Sequence, residues 1–132
     1  MIAFAICHAF YTIAYGFKPP RFSLIFPFII AFLTMNYHFA PALRGPFIYA
    51  IPVYSFILSV MIWRAVSLAL ETSSYSLALG SILFGISDAL LGINMFLRPL
   101  EHSSYSIMAT YYLGQLGIAI SALSTESKQK IN

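Results

Sequence analysis

Charged residues are scarce in this sequence. Seven lysines and arginines and four aspartates and glutamates make up only 8% of the 132 residues, whereas 60% are hydrophobic. Soluble domains are about 25% charged, so this chain has too few charges to cover a soluble globule of its size. The net charge of +3 is small and scattered. Basic residues do not alternate with aromatic ones, so we expect no nucleic-acid partner and take the lipid bilayer as the solvent.

Cysteine pairs and the motifs of soluble enzymes are also lacking. The single cysteine, Cys7, excludes a disulfide within the chain. No set of His, Cys, Asp and Glu residues has the spacing of a metal site. Phosphate-binding loops, G-x-S-x-G turns and H-E-x-x-H helices do not occur. We therefore predict a protein that uses no metal ion and no other cofactor.

Apolar stretches follow one another along most of the chain. A spanning helix needs about 17 to 25 mainly apolar residues. Five segments qualify or come close: 1–17, 22–39, 47–70, 77–97 and 105–123. The alternation of apolar and polar residues that barrel strands need is missing. The sequence thus predicts an all-α polytopic membrane bundle of about five transmembrane helices, with a polar tail at 124–132.

The basic residues outside these segments indicate an orientation. One side of the membrane would carry four of them: Lys18, Arg21, Lys128 and Lys130. The other side would carry Arg44 and Arg98. Because the more basic side usually faces the cytosol, we expect a cytosolic C-terminus. The chain ends in KQKIN, a K-x-K-x-x pattern that is typical of retrieval to the endoplasmic reticulum; the alternative is a simple positively charged anchor.

Asp88 is the most informative residue, because it lies near the middle of the fourth predicted span. Burying a charged carboxylate there costs roughly 2.5 to 3.5 kcal/mol on insertion scales. Without a partner, burial favours the neutral acid, and a neutral acid in an apolar pocket can donate a proton. Ser81, Gly85 and Gly92 share its helical face, so another helix can approach closely. The alternative is a structural carboxyl group that hydrogen-bonds a neighbouring helix.

Two further groups of polar residues lie within predicted spans. His8 and Tyr11 share one face of the first span. Tyr111, Tyr112 and Gln115 form a cluster in the fifth. A glutamine near mid-membrane needs a hydrogen-bond partner, so we interpret this cluster as facing the bundle interior. The alternatives are a structural histidine and tyrosines of the interfacial belt.

Arg64 lies within the third predicted span, roughly 9 Å from its end at 1.5 Å per residue. One interpretation is that its side chain extends to the membrane surface. The other is that its guanidinium group binds the phosphate of a lipid headgroup, whose oxygens it matches in geometry. The sequence leaves both open.

Several segments resemble the YhhN-type lysoplasmalogenase family of multispanning membrane proteins. The stretch GSILFGISDALLGINMF, residues 80–96, is similar to a glycine-led family helix that carries a Ser-Asp pair, here Ser87 and Asp88. TYYLGQ, residues 110–115, is similar to the family's Tyr-Tyr-Leu-x-Gln helix. CHAFY at 7–11 and VYSFILSVMIWRA at 53–65 extend the resemblance over essentially the whole chain.

The resemblance implies a membrane hydrolase that cleaves the vinyl ether bond of lysoplasmalogens. The products would be a fatty aldehyde and glycerophosphoethanolamine or glycerophosphocholine. Asp88 would supply the proton. The residues that would orient it or bind the lipid are Ser87, Gln115, Tyr111, Tyr112, His8, Tyr11 and Arg64.

The chain departs from the family pattern in one respect. Family members have further spans upstream and a second intramembrane aspartate, so we expect a chain that lacks the N-terminal spans. Related chemistry through an oxocarbenium ion commonly uses two carboxylates. Two alternatives therefore stay open. One is a catalytically inactive bundle that binds lipid, a partner membrane protein or a second copy of itself. The other is a proton or solute pathway around Asp88.

Overall fold

The structure, a computed structural model, describes residues 2–17 and 21–129, with side chains described as far as Ser124. Lys18 and the side chains of the KQKIN ending lie outside the described residues. The orientation and retrieval predictions that depend on them therefore stay predictions.

The described residues form five α-helices and no β-strand. They are α1 (Ile2–Tyr15), α2 (Ile25–Phe39), α3 (Phe47–Thr72), α4 (Tyr75–Gly92) and α5 (Ser103–Gln129). Short 3-10 turns flank α2 at Phe22–Leu24 and Ala40–Ala42, and a π-helical turn, Ile93–Leu97, continues α4. The predicted all-α class is confirmed.

Four helical segments within the described residues are long and apolar enough to cross a bilayer: Phe22–Ala42, Phe47–Thr72, Tyr75–Leu97 and Ser103–Ser124. The α1 helix has only 14 residues. It is about 21 Å long, whereas the hydrocarbon core of a bilayer is about 30 Å thick. Gly16 ends it by adopting φ +68°, a left-handed conformation that commonly follows the last turn of a helix. The chain is thus an integral membrane bundle of four helices of spanning length and one shorter apolar helix.

The third helix occupies the centre of the bundle, where it contacts α1, α2 and α4. Its last turn lies on the same side as the connection after α1, because Arg21 Nε is 3.9 Å from Glu71 Oε1. Trp63 Nε1 also donates a hydrogen bond of 3.3 Å to the backbone oxygen of Arg21. Successive helices therefore run in opposite directions, as expected for short connections in a membrane bundle.

The closest helix packing occurs between α4 and α5. A Cβ atom built on Gly80 would lie 2.7 Å from the backbone oxygen of Gly114 and 2.7 Å from the backbone nitrogen of Ile118. One built on Gly117 would lie 2.8 Å from Gly80 Cα. The two backbones are in direct contact, which small residues permit between membrane helices. This contact fixes the position of α4, the helix that carries Asp88.

Two buried apolar clusters lie toward opposite ends of the bundle. One contains Ala65, Ala69, Leu77 and Ile118; the other contains Phe39, Leu43 and Ile51. The outer faces are also apolar: on α2 alone, Phe26 and Ile30 are more than 60% exposed. Such side chains belong in contact with lipid. His8 on α1, Tyr54 on α3 and Asp88 on α4 lie between the two clusters.

Candidate active site

Three polar side chains from three different helices come together: Asp88, Tyr54 and His8. The hydroxyl group of Tyr54 on α3 donates a hydrogen bond of 2.5 Å to Asp88 Oδ2 on α4. His8 Nε2 on α1 is 3.1 Å from the Tyr54 hydroxyl oxygen and 3.5 Å from Asp88 Oδ2. The side chain of His8 is 1% exposed and that of Asp88 is 11% exposed. Asp88 therefore accepts a hydrogen bond from a neighbouring helix. The sequence left open whether it has such a partner.

The surroundings of His8 indicate which ring nitrogen carries a proton. Its Nδ1 atom is buried and has no hydrogen-bond partner. A proton on Nδ1 would leave a buried N–H group without an acceptor, which is costly in a membrane interior. We therefore place the proton on Nε2. In this form Nε2–H donates to the Tyr54 oxygen, Tyr54 O–H donates to Asp88, and the hydrogen bonds run in one direction.

Packing holds the imidazole of His8 in place. The ring contacts Phe84 edge-to-face, with ring centroids 5.1 Å apart. One turn later, the Thr12 hydroxyl donates a hydrogen bond of 2.8 Å to the backbone oxygen of His8. The buried histidine thus has a fixed orientation toward Tyr54.

A cavity of about 800 Å³ lies beside Asp88. We call it the Asp88 cavity; its walls come mainly from α2, α3, α4 and α5, and most of them are apolar. Among the few polar contributors are Asp88, Tyr54, Ser55 and Ser59. Small-molecule sites typically enclose about 300 to 1,000 Å³, with mostly apolar walls and a few polar groups. The site can therefore hold an apolar chain beside a carboxyl group.

Comparison with known proteins identifies the family. Residues 1–122 match the family model described as the YhhN family. The chain belongs to the YhhN family. The resemblance noted in the sequence is thereby confirmed.

Curated relatives of this YhhN protein include two lysoplasmalogenases. Lysoplasmalogenase TMEM86B of Homo sapiens is 35% identical over 127 residues, which are 93% of this chain and 52% of the relative. Lysoplasmalogenase TMEM86A of Bos taurus is 33% identical over 140 residues, which cover 99% of this chain and 56% of the relative. The chain thus spans about half the length of these relatives. No solved structure matches it significantly.

Three of the residues predicted for the YhhN site line the Asp88 cavity together with Asp88: Ser87, Tyr111 and Tyr112. The Ser87 hydroxyl donates a hydrogen bond of 2.9 Å to the backbone oxygen of Ile107 and so joins α4 to α5. The Tyr111 ring packs against Phe84 and Tyr112. Their contact with substrate stays a prediction.

Three other predicted residues, His8, Tyr11 and Gln115, are not among those that line the cavity in the described part of the chain. His8 contacts the hydroxyl group of Tyr54, which does line the cavity. The Tyr11 hydroxyl donates a hydrogen bond of 3.3 Å to Gln115 Oε1, which joins α1 to α5. A role of Tyr11 and Gln115 in binding substrate stays a prediction.

Arg64 lies elsewhere in the bundle and is fully buried. Its Nε atom donates a hydrogen bond of 2.6 Å to the backbone oxygen of Gly16, just past the end of α1. Its guanidinium carbon lies 5.2 Å from the centre of the Trp63 ring. Whether Arg64 also meets a lipid phosphate stays a prediction. In the structure Arg64 attaches the end of α1 to α3.

Sequence reasoning missed Tyr54. Tyrosines in membrane proteins are usually belt residues at the interface, and nine tyrosines in one chain make any single one easy to overlook. Its depth was the available signal, because Tyr54 lies seven residues inside α3. No group of three or more His, Cys, Asp and Glu residues that could hold a metal ion occurs among residues 2–17 and 21–129. That no cofactor is used stays a prediction.

Proposed function

We propose that this chain carries the acid site of a membrane hydrolase that cleaves the vinyl ether bond of lysoplasmalogens. The products are a fatty aldehyde and glycerophosphoethanolamine or glycerophosphocholine. The observation that carries the proposal is the position of the Asp88 carboxyl group, which opens onto an apolar cavity. Tyr54 of α3 donates a hydrogen bond to this group, and His8 Nε2 of α1 lies 3.5 Å from it. The names of the relatives, which are lysoplasmalogenases, support the same substrate class.

The chemistry of a vinyl ether suits a single well-placed acid. Asp88 transfers its proton to the vinyl carbon remote from oxygen, and the double-bond electrons form the new C–H bond. The carbon next to oxygen becomes an oxocarbenium ion, which water captures. The water loses a proton to the Asp88 carboxylate, which regenerates the acid. The resulting hemiacetal then separates into aldehyde and alcohol. One water is consumed, and the acid is unchanged at the end.

The apolar walls of the Asp88 cavity suit the hydrocarbon chain of the lipid. Each methylene group that leaves water contributes about 0.8 kcal/mol to binding. A lipid that is already in the bilayer has left water, so its chain gains only from closer packing in the cavity. The cavity therefore orients the chain, and the Asp88 carboxyl group selects the position of the reacting bond.

The phosphate of the lipid does not reach Arg64 in this arrangement. Tyr54 and Arg64 are ten residues apart on α3, which corresponds to about 15 Å along the helix. Only the three glycerol carbons and two oxygens connect the vinyl ether to the phosphorus. With the vinyl ether at Asp88, the headgroup lies nearer to Asp88 than Arg64 does. We therefore assign Arg64 to the attachment of α1 rather than to the phosphate.

A catalytically inactive bundle that binds lipid or another membrane protein, including a second copy of itself, is the second candidate. It is favoured by one observation: the hydrogen bond between Tyr54 and Asp88 joins α3 to α4, which a purely structural carboxyl group would also do. For location, the KQKIN ending and the basic residues of the connections support the endoplasmic reticulum membrane with a cytosolic C-terminus.

The proposed function is tested by aldehyde release from purified protein in detergent. The substrates are a lysoplasmenyl lipid and its alkyl analogue, which has the same chain and headgroup but no double bond. We expect aldehyde only from the vinyl ether. Binding of both lipids with no aldehyde from either would support the inactive bundle instead.

A further inference from the structure

We propose that Tyr54, held by His8, is a positioning residue that stabilises the carboxylate formed when Asp88 gives up its proton. The inference rests on the proposed function, because it assigns roles within the same site. Neither residue needs to touch the lipid's reacting carbons for this role. Tyr54 acts through Asp88, and His8 acts through Tyr54.

The geometry supports this order of action. The Tyr54–Asp88 hydrogen bond, at 2.5 Å, is at the short end of the range for bonds between oxygen atoms. His8 Nε2 is closer to the Tyr54 oxygen, at 3.1 Å, than to Asp88 Oδ2, at 3.5 Å. His8 is completely buried and is not among the residues that line the Asp88 cavity. It can therefore act on Asp88 through Tyr54 without contacting a substrate in the cavity.

The chemistry explains why such a donor matters. When the O–H bond of Asp88 breaks, its proton forms the new C–H bond of the substrate and the electron pair stays on the carboxylate. Tyr54 keeps its own proton throughout and donates a hydrogen bond to that charge. Hydrogen bonds to a charged acceptor are roughly twice as strong as neutral ones. The bond thus strengthens as the transition state forms, which is the condition for raising kcat rather than lowering KM.

The first experiment compares Tyr54→Phe with Tyr49→Phe in the aldehyde assay. Tyr49 is a matched control, since it lies on the same helix and is 77% exposed. Loss of a hydrogen bond to a charged group corresponds to about a tenfold to hundredfold effect. We expect a fall in kcat of that size for Tyr54→Phe with KM within about twofold, and no change for Tyr49→Phe. A Tyr54→Phe variant with wild-type kcat, or one altered only in KM, would overturn the proposal.

A second pair of variants tests His8. His8→Gln keeps an N–H donor close to the position of Nε2, whereas His8→Phe keeps only the shape of the ring. We expect His8→Gln to recover most of the kcat that His8→Phe loses. Equal kcat losses in the two variants would mean that His8 acts only through packing, which would contradict its assigned role.

A third measurement does not depend on activity. Dicyclohexylcarbodiimide is an apolar reagent that adds to protonated carboxyl groups in membranes, and mass spectrometry of peptides locates the adduct. The hydrogen bond from Tyr54 occupies Asp88 Oδ2, so loss of that bond, or of the His8 contact that holds Tyr54, frees this oxygen to attack the reagent. We expect faster labelling of Asp88 in Tyr54→Phe and His8→Phe than in wild type and Tyr49→Phe. The His8→Phe variant matters most, because His8 does not line the cavity and its loss leaves reagent access unchanged.

The outcomes separate the two proposals. A wild-type chain that releases no aldehyde counts against the proposed function alone, and the labelling rates then decide the role of Tyr54. Wild-type labelling rates in both Tyr54→Phe and His8→Phe would overturn the positioning role even in an active enzyme.

Discussion

Replacing Gly80 by alanine tests the contact on which the position of Asp88 depends. The added methyl group would lie 2.7 Å from two backbone atoms of α5, well inside the 3.4 Å at which ordinary van der Waals contact begins. Backbone atoms cannot rotate away, so α4 and α5 must separate. Overpacking of this kind costs typically about 1 to 3 kcal/mol. Alanine is the better helix former by up to about 1 kcal/mol, which offsets part of that cost, so we expect a net loss of up to about 2 kcal/mol.

Gly85→Ala is the matched control on the same helix. Its methyl group would meet only the Cδ1 end of Ile62, at 2.5 Å, and that side chain can change rotamer. The free energy of unfolding of both variants can be measured in mixed micelles by titration with a denaturing detergent. We expect Gly85→Ala within about 0.5 kcal/mol of wild type. If Gly80→Ala were as stable as wild type, the direct backbone contact between α4 and α5 would be refuted.

Two further predictions concern Arg64 and the route of the proton. Arg64→Met removes the donor to the Gly16 backbone oxygen. It should lower the free energy of unfolding by about 1.5 to 3 kcal/mol, measured by the same titration. A tenfold rise in KM without loss of stability would instead favour phosphate binding by Arg64. Hydrolysis in D₂O should place one deuterium on the aldehyde carbon next to the carbonyl, because the acid protonates that carbon. Mass spectrometry of the aldehyde detects the label. Unlabelled aldehyde would contradict proton transfer to carbon.

The sequence predicted the helical membrane bundle because composition alone determines the solvent. Apolar length could not place the end of α1, which depends on the positive φ of Gly16. Nor could it identify the partner of each helix face. The spacing around Asp88 indicated close packing at Ser81, Gly85 and Gly92. Side chains of other helices do approach Gly85 and Gly92 closely, but the direct backbone contact lies at Gly80. Which glycine meets which backbone is a property of the tertiary arrangement.

Within the candidate site, sequence reasoning found the residue that is chemically exceptional and missed the residue that is common. A carboxyl group in mid-membrane is costly, so Asp88 was conspicuous. Tyr54 is one tyrosine among many, and its role depends on where α3 places it relative to α4. Arg64 was conspicuous for the same reason as Asp88, yet its Nε atom donates a hydrogen bond to Gly16 at the end of α1. The cost of burial indicates that a residue has a role, but only its neighbours indicate which one.

The most direct measurement is aldehyde release from the vinyl ether lipid by wild type, Asp88→Asn and Asp88→Glu, each shown to be folded by its unfolding titration. Asp88→Asn keeps a hydrogen-bond acceptor for Tyr54 but has no acidic proton. We expect it to lose aldehyde release by at least about a hundredfold, in line with the contribution of a general acid. Asp88→Glu, which keeps the acid, should retain part of it. An Asp88→Asn variant with wild-type turnover would contradict the assignment of Asp88 as the proton donor.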